Sequence, residues 1–190
     1  MPAKYQVIIL HGAYGNSQEN WFPWLERKLI QEGIDAVTPN FPTPQNQSVE
    51  SWVEILNNSI TVELSNLALV GHSASCALML TWLETINIPI KAMFLVSSFI
   101  QNLGIPEFDK INEVFYKGPF KWGKIKNNCS TFHVFHSDND PYVPLTRGEE
   151  IAKNLGVELQ IIHNAGHINS EAGFKEFPSL FEEIIITLNG

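Results

Sequence analysis

A chain of 190 residues is long enough to bury about 70% of the surface its unfolded form exposes, so an ordinary hydrophobic core can hold it together. With 44% hydrophobic and 17% charged residues, it lacks the low apolar content of disordered chains. A formal charge of -8, with 12 Lys and Arg scattered along the chain, argues against a nucleic-acid partner, because phosphate binding needs clustered cations.

Cys76 and Cys129 form no C-x-x-C pair and no zinc pattern, and read as buried thiols in a reducing compartment. Residues 1–10 carry one lysine and an apolar run too short for a signal peptide. No apolar stretch approaches the ~18 residues of a membrane span. These features predict a soluble, cytoplasmic protein with no membrane contact. Three matches to the glycosylation pattern, at Asn46, Asn57 and Asn128, carry no weight without secretion.

Short β-rich runs alternate with longer helix-compatible segments, the pattern of a mainly parallel sheet of about six strands between helical layers. The first run, residues 6–10, is continuously apolar, as a strand buried on both faces requires. It ends in His11-Gly12-Ala13-Tyr14-Gly15, where glycines suit a tight turn. Ser17 is placed as the cap of a helix over residues 20–31, with Trp21, Trp24, Leu25 and Leu29 on its apolar face. A second strand over 35–38 and a proline-containing loop lead to a helix beginning at Ser48. The third strand, 67–70, enters Gly71-His72-Ser73-Ala74-Ser75 and leaves through a helix containing Ala77, Leu78 and Trp82.

A fourth strand spans 91–96, and residues 97–123 are the least regular part of the chain. Their aromatic residues, among them Phe99, Phe108, Phe115 and Trp122, either cover one side of a site or plug the side of the sheet. The segment is too short for a large cap domain. A fifth strand over 131–135 runs into His136-Ser137-Asp138-Asn139-Asp140-Pro141, and a helix follows over 146–155. A sixth strand over 158–162 opens into Asn164-Ala165-Gly166-His167, and a helix over 177–188 closes the chain. No repeat or linker divides it, so residues 1–190 read as one domain.

The chemistry concentrates at Ser73. Strand, Gly-x-Ser-x-small turn and helix together make a nucleophile elbow, in which small flanking residues let strand and helix approach while a strained serine presents its hydroxyl. A serine hydroxyl needs a base to take its proton and a third group to orient that base. His167 and Asp140 supply these types, each following a different predicted strand at the same end of the sheet, and Ser-Asp-His is the chain order of α/β hydrolases. Asp138 is an alternative to Asp140, which is favoured by the Pro141-Tyr142-Val143-Pro144 turn behind it. Ser75 sits at the closing small-residue position and is expected to pack; His72 is expected to point away from Ser73 and support the elbow. His133 and His136 fall on opposite faces of a strand and are not a metal pair. The oxyanion formed on attack needs preorganised amides, for which Ala74 is one candidate. The loop after the first strand supplies the second, from Gly12 or Ala13, Ala13 being preferred.

These residues resemble the small serine-hydrolase branch of the α/β-hydrolase superfamily that includes retinoblastoma-binding protein nine. The resemblance spans nearly the whole chain and is most specific at Val70-Gly71-His72-Ser73, at Trp122 to Cys129, at Asp140 to Pro144 and at Ala165-Gly166-His167. It implies a three-layer α/β/α hydrolase fold without a large cap, no cofactor, and a small-molecule ester or amide substrate. By motif match it implies Ser73 as nucleophile, Asp140 as acid and His167 as base. Ser75 departs from the usual closing glycine, and His11 and Tyr14 stand in a loop expected to be richer in glycine. The aromatic residues of 99–122 suggest an apolar substrate group. The family's association with partner proteins motivates a rival reading, an interaction module that keeps the fold and turns over little.

Overall fold

The computed structural model describes residues 3–116 and 118–190. Six parallel strands form one sheet in the order β2-β1-β3-β4-β5-β6, comprising β1 (Gln6–Leu10), β2 (Asp35–Val37), β3 (Leu67–His72), β4 (Ala92–Val96), β5 (Phe132–Ser137) and β6 (Leu159–Ile162). The helices are α1 (Phe22–Gln31), α2 (Val49–Ser59), α3 (Ser75–Leu83), α4 (Pro106–Asn112), α5 (Trp122–Asn127), α6 (Leu145–Leu155) and α7 (Pro178–Asn189). None of them is long and apolar enough to cross a membrane.

Strand alternation splits the core into two layers. Val7, Ile9, Val70, Phe94 and Phe135 face α1 and α7, through Leu25, Leu29, Leu180 and Ile184. Ile8, Leu69, Leu95 and Val134 face the other side, where α2, α3, α5 and α6 bring Trp52, Leu78, Ile125 and Ile151. Every residue of β1, β3 and β4 is buried, which is why these strands read as continuous apolar runs. The expected three-layer α/β/α architecture is the one observed.

The strand order also fixes where a site can form. From β1 the chain moves outward to β2, then crosses back to place β3 on the opposite flank of β1. Loops leaving β1 and β3 therefore diverge in opposite directions, and the crevice between them opens at the carboxyl ends of the strands. Leu10 pairs with Gly71 there, so the His11 to Gly15 loop and the elbow start side by side.

Two local features differ from expectation. Ser17 does not cap α1: the helix begins at Phe22 with Pro23 in its first turn and no side-chain cap, because proline already fills a position whose amide would lack a partner. Ser48 does cap α2, in a reciprocal pair with Ser51. Residues 97–123 serve both roles considered for them. Phe99, Leu103 and Phe108 line a cavity over the elbow, whereas Phe115 is buried against Trp52 and Phe120 and Trp122 pack on the same core layer.

Candidate active site

Strand β3 ends at His72, and Ser73 turns the chain into α3 with φ 61. A left-handed conformation costs a non-glycine residue roughly 1–2 kcal/mol and persists only where its surroundings over-determine it. Here they do. The Ser73 amide donates to the carbonyl of Val96 at 2.9 Å. Gly71 keeps the turn tight: a Cβ there would displace the end of the Met79 side chain and lie 3.2 Å from Ser75 Oγ.

The departure at Ser75 proves to be a structural bond. Its buried hydroxyl accepts from the His72 amide at 3.0 Å and faces the carbonyls of Leu10 at 3.0 Å and His72 at 2.9 Å. It ties the elbow to the end of β1, which a glycine could not do. Cys76 is wholly buried behind it, and burial pushes its thiol far above the ordinary range.

His167 leaves β6 through a turn and donates from Nδ1 to Asp140 Oδ2 at 2.7 Å. The other carboxylate oxygen of Asp140 accepts the amides of Tyr142 and Val143 at 2.9 and 3.0 Å. Burial acts to raise the Asp140 carboxyl. The His167 hydrogen bond and charge and the two amides outweigh it and hold the group below its ordinary value. Asp138 is elsewhere: it pairs with exposed His163 at 2.6 Å and with the Asn164 amide. The structure thus brings Asp140, not Asp138, to His167.

Ser73 and His167 line one cavity. Among the described residues the hydrogen bonds of His167 run to Asp140, His72 and Ser97 and none to Ser73. Nucleophile and base contacts are commonly loose in free enzymes and tighten with substrate bound.

Three further histidines hold this frame, His72 in the supporting role expected of it. His72 Nε2 donates to the His167 carbonyl at 2.9 Å, from a pocket beside Trp21 and Phe22. Burial first, then the neighbouring charge of His167, lower its pKa to about 3, so it stays neutral. His11 donates from Nδ1 to the Gly12 carbonyl at 2.8 Å and accepts the Phe41 amide at Nε2. Because the Gly15 amide also reaches the Gly12 carbonyl, that peptide is fixed, and its trans geometry puts the Ala13 N–H on the opposite side. His136, buried under the acid loop, donates to the Val143 carbonyl at 3.0 Å. Gly12 permits the closest approach, for a Cβ there would lie 3.0 Å from Ser73 Cβ and 3.4 Å from its Oγ.

The residue after the histidine carries a signal no pattern exposes. Ile168 has φ 48, an outlier for a β-branched residue. It is held by its amide to Ala165 and by Trp21 Nε1 on its carbonyl, both at 2.9 Å.

Residues 7–185 match the family described as Serine hydrolase. The YdeN protein of Bacillus subtilis is 30% identical over 179 residues, 93% of each chain, and the crystal structure of the ydeN gene product superposes with a TM-score of 0.90, covering 98% of this chain and 100% of that one at 28% identity. Serine hydrolase RBBP9 of Rattus norvegicus is 25% identical over 170 residues, 89% of each chain. Est1E of Butyrivibrio proteoclasticus, at 16% identity, shares the fold with a TM-score of 0.69 over 100% of this chain and 90% of its own. The chain belongs to the serine hydrolase family and is a hydrolase of the α/β-hydrolase fold.

Proposed function

We propose that the protein hydrolyses carboxylic esters, with amides as a slower class, through an acyl intermediate on Ser73. The observation that carries this reading is the 2.7 Å bond from His167 Nδ1 to buried Asp140 beside a serine held at φ 61 in the same cavity. With Nδ1 donating to the carboxylate, Nε2 is the nitrogen left to accept the Ser73 proton. Ser73 Oγ attacks the ester carbonyl as His167 takes that proton, and Asp140 stabilises the imidazolium. The amides of Ala74 and Ala13 receive the oxyanion; Ser73 cannot contribute its own amide, which is engaged by Val96. The proton then passes from His167 to the leaving alcohol. Water, activated by the same ring, releases the acid and restores the serine. Every group in this cycle comes from the chain, the substrate or water.

The cavity of about 210 Å³ that Ser73 and His167 share is walled by Phe99, Leu103, Phe108 and Val143, which supports an apolar group on the substrate. A fluorophosphonate probe tests the reading. Wild type should label at Ser73 and hydrolyse members of an ester panel, and unchanged labelling of Ser73→Ala would refute it. Labelling without turnover on any ester or amide would favour the interaction-module reading.

A further inference from the structure

Tyr14 shares with Ala13, Asn169 and Glu171 the boundary between two openings around Ser73. It sits at φ 60 in the turn after β1, and it lines two different openings that both reach Ser73 and His167. One is the apolar cavity of about 210 Å³ beneath α4. The other, about 330 Å³, has Gly15, Glu19, Asn20 and Ser170 in its own wall, while Glu171 lies on both. Tyr14 is fixed in this position from two sides. Its amide donates to Thr43 Oγ1 at 2.8 Å, Thr43 donates to Gln47 Oε1 at 2.7 Å, and Gln47 Nε2 reaches the Ile111 carbonyl at 2.7 Å. Its ring leans on Phe108 of α4, centroids 5.9 Å apart. The turn and α4 are therefore one braced unit with Tyr14 at its edge.

We propose that Tyr14 is the specificity-determining divider of a two-chamber substrate site, sending an apolar acyl group beneath α4 and a polar, non-anionic alcohol into the chamber walled by Glu19, Asn20 and Ser170. The proposal rests on the acyl-Ser73 reading. Apolar surface gains from the first chamber, at about 25 cal/mol per Å² buried. The second offers hydrogen-bond partners, and its Glu19 carboxylate, with Glu171 where the two chambers meet, repels an anionic leaving group. At about 210 Å³ the acyl chamber is smaller than the ~300–1,000 Å³ sites that hold drug-sized ligands, so chain length is limited there. Tyr14 is 48% exposed, so shortening it opens the partition without removing core.

The test measures kcat/KM for an acyl series, p-nitrophenyl butanoate to dodecanoate, and an alcohol series, ethyl against glyceryl butanoate, with wild type, Tyr14→Ala and Tyr14→Phe, each checked by fluorophosphonate labelling. Wild type should favour the shorter acyl chains and the glyceryl ester. Tyr14→Ala should raise the dodecanoate to butanoate ratio by about fivefold or more, the scale on which pocket contacts discriminate methylenes, while Tyr14→Phe, which keeps the ring, holds the ratio within about twofold. An unmoved ratio in Tyr14→Ala, an equal shift in Tyr14→Phe, or selectivity that follows the alcohol chain instead of the acyl chain would overturn the divider. If wild type fails to label at Ser73, the hydrolase reading fails instead.

Discussion

His72 Nε2 donates to the main-chain carbonyl of His167 across 2.9 Å, so the residue before the proposed nucleophile holds the backbone of the proposed base. The two rings meet edge to face, 4.8 Å apart. A misplacement of ~1 Å can cost on the order of 100-fold in rate, which makes this bond worth testing. His72→Phe should lower kcat about 10- to 100-fold with KM little changed, measured by steady-state kinetics on one ester. An unaffected kcat would show that Ser97, Asp140 and the turn at Ile168 hold His167 without this bond.

The two acids near the end of β5 separate by substitution. Asp140→Asn removes the acceptor that sets the His167 tautomer, and kcat should fall by about 10³–10⁴. Asp138→Asn alters only the His163 pair and the Asn164 contact and should retain most activity. Parallel rate measurements on the two variants decide between them.

Gly12→Ala should separate activity from stability. Its Cβ would press on Ser73 Cβ at 3.0 Å and on the His72 carbonyl at 3.2 Å, so either the serine or the first-strand loop must shift. The expected result is a fall in fluorophosphonate labelling rate of about 10-fold or more with the urea midpoint nearly unchanged. A wild-type labelling rate would place the first-strand loop farther from the reacting atoms than the geometry requires.

Stability should fall with acid. His11, His72 and His136 all have lowered pKa values, burial being the first cause in each. Their unfolded forms take up protons as pH drops through about 6.5 while the folded forms do not. The stability they contribute is complete above that pH and declines below it, by about 1.4 kcal/mol per pH unit for each proton bound only by the unfolded chain. Asp140, with its carboxyl held low, contributes stability that is lost in a more acidic window, with the same sign. Urea unfolding at pH 8 and pH 5 should show the lower midpoint at pH 5, and His72→Phe should flatten the difference.

Much of this was legible in the sequence because its signals are local. Continuous apolar runs marked β1, β3 and β4, and Gly71, Ser73 and Ser75 marked the turn between β3 and α3. That a carboxylate of the loop after β5 would meet His167 followed from strand ends and chain order. What could not be read depends on neighbours distant in the chain. The bond of Ser75 to Leu10 spans 65 residues, and the bond of Trp21 to Ile168 spans 147. The tether of Thr43 and Gln47 to α4 joins loops whose own patterns carry no trace of each other. Asp138 and Asp140 could be ranked but not assigned, since only the β6 loop decides which carboxylate meets which histidine.

The most direct measurement is rapid quenching of the protein with a p-nitrophenyl ester, followed by intact-mass and peptide mass analysis. The account predicts an added acyl mass on the peptide containing Ser73, formed at the rate of the p-nitrophenol burst and absent in Ser73→Ala. Turnover of the same ester with no acyl adduct, or an adduct mapped to Ser75 or to another residue, would contradict it.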